Sequence, residues 1–274
     1  MRLDTKRLIA ACGAALLMTT GRVALAEEPA LAAPSDPNED KWVFNSPLYI
    51  WASGMDGSVT ARGNSTEIDY SFSDLNENME LGFQGYFELA KKKYGFYAQP
   101  SYMKLAVDGS TGPIDTEVTS EMWIVEFGAF YKFLTWEGKR PGSLAAVAGG
   151  RYWSINNDLK VKAPLGTANF GDSNSLFDPI LGLRYHQYFT KKFHVWMQGD
   201  VGGFDISSSQ SRFSWQVMPM VAYDFNMIVI NKPSTVFLGY RILGIQHSEG
   251  SGANEHSFNI RLNGLLVGLN VQLF

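Results

Sequence analysis

Cysteine is all but missing from this chain: Cys12 is the single one in 274 residues. Long apolar runs are missing too. No stretch beyond the first thirty residues approaches 18 consecutive apolar positions, which excludes transmembrane helices. Basic charge is in deficit, with 23 Lys and Arg against 27 Asp and Glu, and that balance argues against a nucleic-acid partner. Histidine is scarce, at four residues, and no His or carboxylate cluster has ligand spacing, so no metal is expected. The glycine-rich Gly199–Phe204 (GDVGGF) lies in a strand pattern with no helix after it. It is therefore no phosphate cradle, and no cofactor is expected.

The N-terminus carries an export signal. Arg2, Lys6 and Arg7 precede the apolar run Leu8–Met18, and Ala24-Leu25-Ala26 places small residues where a signal peptidase reads, so cleavage is expected before Glu27. The run is eleven residues long, too short to span a bilayer as a helix. Cys12 follows Ile9-Ala10-Ala11 in the manner of a lipoprotein box, but only four apolar residues separate it from Arg7. We read it as part of the signal's apolar region, which leaves the mature chain without disulfides or thiol ligands. Cleavage removes four basic residues and Asp4, leaving 19 basic against 26 acidic, a formal charge of about −7. The expected organisation is a signal peptide at 1–26, a Pro-, Ala- and acid-rich disordered lead-in at 27–40, and one folded unit at 41–274.

The strongest pattern in that unit has a period of two. From Phe177 the odd positions read Phe, Pro, Leu, Leu, Tyr, while the even positions read Asp178, Ile180, Gly182, Arg184, His186. After the Thr190-Lys191-Lys192 turn the parity resumes, with Val195, Met197 and Val201 opposite His194, Gln198 and Asp200. The same alternation runs from Met122 to Phe133 and from Phe213 to Phe225, with aromatics towards both ends of the apolar face. A soluble sandwich would point this face at a core; a membrane barrel points it at lipid and turns the charges into the lumen.

Ten such strands are counted, near 42–53, 80–90, 94–107, 117–135, 143–155, the two of the 175–205 hairpin, 213–225, 235–246 and 257–274. The connections alternate between short turns and longer loops rich in Gly, Ser, Asn and Asp, a sorting that bacterial barrels show and sandwiches do not. The expectation is an all-β fold, a transmembrane antiparallel up-and-down β-barrel of ten strands, with eight or twelve as alternatives. Its location would be the bacterial outer membrane. In the first outer loop Ser73 offers a helix N-cap before Asp74-Leu75-Asn76, and an ordered surface loop is expected there rather than a lid. Pro100, Pro179 and Pro219 fall inside strands and call for bulges, as does a parity change near Asn263-Gly264.

Several motifs resemble those of an uncharacterised family of proteobacterial outer-membrane barrels: Trp51–Gly57 (WASGMDG), Gly149–Trp153 (GGRYW), Asp178–Arg184 (DPILGLR), GDVGGF and Gly239–Arg241 (GYR). The resemblance implies fold and location and transfers no activity. The terminal Phe274 is similar to the ending through which the barrel-assembly machinery recognises its clients. Outer-membrane lipid and lipopolysaccharide are the other expected partners of a monomer.

Parity places Glu88, Glu126, Asp178, Asp200 and Asp224 inside with Lys132, Arg184 and Arg241; Arg151 joins them if Gly149 faces inward. Mixed signs in a narrow lumen should pair, because an unpaired buried ion costs several kcal/mol. The expected site is therefore a network of Glu126, Lys132, Arg151, Asp178, Arg184, Asp200, Asp224 and Arg241 that largely fills a structural or weakly conducting barrel. A small-solute diffusion pore, a rim enzyme acting on lipid A or peptides, and a surface adhesin are the alternatives. The enzyme would need His247-Ser248-Glu249 or Glu255-His256-Ser257, where neighbouring residues point to opposite sides of the strand, so no catalytic residue is assigned.

Overall fold

The computed structural model describes residues 40–61, 64–111, 114–163, 166–205, 210–227, 232–250 and 256–271. The signal peptide, most of the lead-in and Phe274 lie outside the described residues. Alternation produces thirteen strands: β1 (Val43–Asn45), β2 (Leu48–Ala61), β3 (Asn64–Tyr70), β4 (Met79–Gln84), β5 (Phe87–Lys91), β6 (Tyr94–Thr111), β7 (Ile114–Trp136), β8 (Gly142–Ala163), β9 (Gly166–Tyr188), β10 (Phe193–Gly203), β11 (Phe213–Met227), β12 (Lys232–Glu249) and β13 (His256–Val271). Among the described residues one helix, α1 (Phe72–Glu77), follows β3. The strands form one antiparallel sheet in the order β1-β5-β6-β7-β8-β9-β10-β11-β12-β13-β2-β3, with β4 also paired to β6.

Thirteen strands replace the expected ten for three local reasons. Ser46-Pro47 interrupts the first expected strand and Gly85-Tyr86 the second, and β3 folds back on β2 as a hairpin arm. Two stretches read as loops are ladders instead: β6 pairs with β7 out to Thr111 and Ile114, and β8 with β9 out to Ala163 and Gly166. Cross-strand pairs hold them, with Ser173 donating to Asn156 at 2.6 Å, Ser120 to Asn157 at 2.8 Å, and Lys162 lying 3.7 Å from Glu117.

Helix α1 is capped by Ser71 and not by Ser73. The Ser71 hydroxyl accepts from the Asp74 N–H while the Asp74 carboxylate accepts from the Ser71 N–H at 2.8 Å. This reciprocal box needs an acid three residues after the cap, which Ser73 lacks. Those bonds hold the Asp74 carboxyl below its ordinary range. No bulge occurs at Asn263-Gly264, where β13 keeps unbroken register with both β12 and β2. The prolines sit at ladder interruptions: Pro100 beside the β4–β5 break, Pro179 just past the end of the β9–β10 pairing, and Pro219 in a gap between β11 and β12. A residue without an N–H loses least at such places.

Burial is inverted relative to a soluble protein. Outward positions from Trp123 to Phe133 on β7, Phe177 to Tyr185 on β9 and Phe213 to Phe225 on β11 carry no charge. Leu181 and Leu183 are 58% and 53% exposed, whereas Glu126 and Arg151 are completely covered. Phe213 and Tyr223 stand ten residues apart on the outer face of β11. At about 3.3 Å per residue and a tilt of about 40° they bracket roughly 25 Å.

The edge of β2 that faces β4 is the weak line of this wall. Among the described residues no backbone ladder joins β2 to β4; the first strand meets its neighbour only through β1 on β5. A side chain substitutes for the missing ladder. The Gln84 amide accepts from the Trp51 N–H at 2.7 Å and donates to the Trp51 carbonyl at 3.3 Å. Gln84→Ala orphans both main-chain groups, each costing about 1–3 kcal/mol. The expected outcome is a lower urea midpoint for unfolding from lipid vesicles, read by tryptophan fluorescence, with Gln84→Glu, which keeps an acceptor, falling between variant and parent.

Candidate functional site

The inward side chains of β7 to β13 form layers along the strands. Nearest the short turns stand His186, His194 and Asp224; one step inward come Phe130, Trp196, Ala222 and Met220; then Arg184 and Gln198; then Glu126, Arg151, Asp200, Gln216 and Arg241. Beyond them Trp51, Ile124, Trp153, Leu176, Leu243, Ile245 and Leu262 close together as an apolar core. The apolar even-numbered residues of β13 belong here, which is why their parity did not flip. Leu75 of α1 is buried at the same end, so the first loop contributes to the filling.

Glu126 is the hub of the charged layer. Arg151 donates to its Oε2 from Nε at 3.2 Å and Nη2 at 2.8 Å, and Tyr97 and Gln198 donate to Oε1 at 3.1 and 3.0 Å. Arg151 Nη2 also bonds Asp200 Oδ1, and the Gln216 amide donates to Asp200 Oδ2 at 3.1 Å. Arg241 donates from Nε to Gln216 at 2.6 Å and stacks on the Trp51 ring at 4.6 Å. Its Nη2 is 3.7 Å from Glu126, near enough to attract and too far to hydrogen-bond, and both terminal nitrogens lack a bonded partner. Two carboxylates thus face two guanidiniums at the centre, with no net charge.

Arg184 adds a second pair. It donates to Glu88 at 2.7 Å and through Nε and Nη2 to Gln198, which links it to the hub. The rings of Tyr97, Phe130 and Trp196 surround its guanidinium at 4.9, 4.5 and 5.1 Å, a favourable arrangement for a cation out of bulk water. Glycine makes the crowding feasible. A Cβ on Gly182 would come within 2.6 Å of the Asp200 Cβ, and one on Gly149 would collide with the Phe127 carbonyl.

Three of the eight expected residues are elsewhere. Asp178 accepts from the Ser211 N–H and hydroxyl at 2.7 and 2.8 Å and from the Trp153 indole at 3.2 Å, so it anchors the chain after β10 and forms no ion pair among the described residues. Asp224 accepts from Thr235 at 2.6 Å and lies 3.3 Å from His194, whose other ring nitrogen meets His186 at 2.8 Å. Lys132 faces a chamber of about 640 Å³ at the turn end, and its ammonium makes no ion pair among the described residues. Conversely, Gln198, Gln216 and Tyr97 complete the network and were passed over because they are neutral, although Gln198 and Gln216 share the parity of Asp200 and Asp224. His247, one candidate for a rim enzyme, is engaged with the Gln210 carbonyl at 3.2 Å and lies against the Phe258 ring. No group of His, Cys, Asp and Glu among the described residues has metal-site geometry.

No protein-family model matches the sequence, and no curated protein matches it. Among solved structures, the crystal structure of a Pseudomonas aeruginosa FadL homologue is similar over 86% of this chain and 90% of its own, at 9% identity and a TM-score of 0.33. A likeness of that size carries no argument about strand number, interior or role.

Breaking the hub is the sharpest test of the network. Glu126→Gln removes the carboxylate at ion-pair distance from Arg241, leaving it the more distant Asp200, and leaves Arg151 paired with Asp200 alone; the expected loss is about 3–5 kcal/mol. Glu126→Gln with Arg241→Met should lose less than the two single changes together, and a urea-unfolding double-mutant cycle in vesicles measures the coupling.

Proposed function

We propose that this chain is an integral outer-membrane β-barrel of ten staves, in which β1 with β2 and β4 with β5 each count as one broken stave and β3 is an outer arm. One observation carries the reading: the large apolar side chains face outward while Glu126, Arg151 and Arg241 are buried inside the sheet. Water would not tolerate that arrangement, and hydrocarbon requires it. The export signal agrees with the location. Short connections such as Lys92-Lys93 gather at one end, assigned to the periplasm, and the long polar ribbons at the other, assigned to the cell exterior. Lipid and lipopolysaccharide are then the partners of the outer wall, with assembly directed by the C-terminal strand.

The interior supports a structural or weakly conducting barrel over a diffusion pore. A charge-neutral layer is followed by a cluster of large buried apolar side chains, and neither has the single-signed lining of a selective pore. The engagement of His247 with a main-chain carbonyl and an aromatic ring favours this reading over a rim enzyme.

Two measurements test it. In planar bilayers the refolded parent is expected to show no large ohmic steps. Arg184→Ala and Arg241→Ala should stay closed because Trp51, Leu243 and Leu262 remain above them; large steps in the parent would sink the filled-lumen reading. The mature chain has no cysteine of its own, so Lys162→Cys and Lys191→Cys can be labelled singly. On intact cells a membrane-impermeant maleimide should react at 162 and not at 191, and the reverse pattern would invert the orientation.

A further inference from the structure

The chamber at the turn end has a use that the filled lumen does not explain. It is walled by Phe130, Trp196, Met218, Met220, Phe237 and Leu266, its volume of about 640 Å³ suits a small organic ligand, and it stops against the Arg184 layer. Its acids are already occupied: Glu88 accepts from Arg184 and from Tyr86 at 2.7 and 2.6 Å, and Asp224 is held by Thr235, His194 and Tyr188. Lys132, which lines the chamber, is attracted by Glu88 but makes no ion pair or hydrogen bond with it or with any other described residue. Opposite chemistry is supplied by Gln99, which lines the chamber, is 2% exposed, donates one amide N–H to the Tyr49 hydroxyl at 2.9 Å, and leaves its carbonyl oxygen without a partner among the described residues. Asn270 also lines the chamber, and its carbonyl oxygen has no hydrogen-bond partner among the described residues.

An apolar, ring-lined pocket with a cation outside any ion pair among the described residues, and with buried acceptors in want of donors, has the makings of a recognition site. We propose that the chamber binds a small aromatic carboxylic acid, its ring among Phe130, Trp196 and Met220, its carboxylate on Lys132, and a donor group of the ligand or a carried water on Gln99. A carboxylate is favoured over a neutral ligand because a charge-assisted bond to an ammonium is the strongest polar contact the chamber can offer. The inference needs only the interior geometry and holds whichever membrane face the turns meet.

The test uses the full mature chain in lipid nanodiscs, titrated calorimetrically with 3-phenylpropanoate and with its uncharged counterpart 3-phenylpropan-1-ol. The parent should bind the acid saturably and more tightly than the alcohol. Lys132→Gln should weaken the acid by about tenfold and leave the alcohol nearly unchanged, and Lys132→Arg should restore the acid. Lys132→Arg keeps the attraction to Glu88 and should leave the unfolding midpoint where it is, so a loss of acid binding in Lys132→Gln that Lys132→Arg restores is not a folding defect. Trp196→Phe should abolish the ligand-induced fluorescence change while the heat of binding persists, which locates the ligand. No saturable heat with the parent, equal affinity of parent and Lys132→Gln for the acid, or loss of acid and alcohol together in Lys132→Gln would each overturn the proposal.

Discussion

A carboxylate deep inside a tube with an oily outer wall cannot be left alone, and the arrangement of this interior follows from how Glu126 meets that constraint. Its two oxygens collect donors from β6, β8, β10 and β11, through Tyr97, Arg151, Gln198 and Gln216, while Arg241 on β12 balances it at ion-pair distance. Six strands, counting β7 itself, are thereby fixed to one point. Register follows from this, because a slip of one residue in any of them would turn its donor out to the apolar face and leave the hub short. The ring-lined cage around Arg184 and the stacking of Arg241 on Trp51 are the same solution applied to the cations.

Much of this was legible in the sequence, and the failures have physical causes. Parity fixed the faces of β7, β9, β10 and β11 because each alternates large apolar with polar residues. It could not fix β8, where Ala145, Ala146, Val147, Ala148, Gly149 and Gly150 offer small side chains to both faces. The inward direction of Arg151 emerges only from its cross-strand neighbours Glu126 and Asp178. Counting charges found the ions and missed the amides that bridge them. The apolar run on β13 was misjudged for a different reason. A rule that sends oil to lipid overlooks that a narrow barrel also has an inside to fill, and Leu262 and Leu266 fill it. A high share of Gly, Ser, Asn and Asp likewise hid the ribbons, since those residues mark a loop as readily as a ladder that extends into water.

Size along a single strand shows why the interior is empty at one end and full at the other. Inward positions on β8 run Ser143, Ala145, Val147, Gly149, Arg151, Trp153, so side-chain volume rises from the turns towards the ribbons with one glycine to admit the network. Small residues leave the chamber; Trp153 joins Trp51, Leu176 and Leu243 to shut the far side. An object entering from the turn end therefore meets a stacked guanidinium and then a carboxylate whose two oxygens already accept from their neighbours. Moving past them would strand buried ions at several kcal/mol each before any apolar contact was regained. A path with that profile is closed at its middle, and the chamber is better understood as a place where something stops than as the first part of a channel.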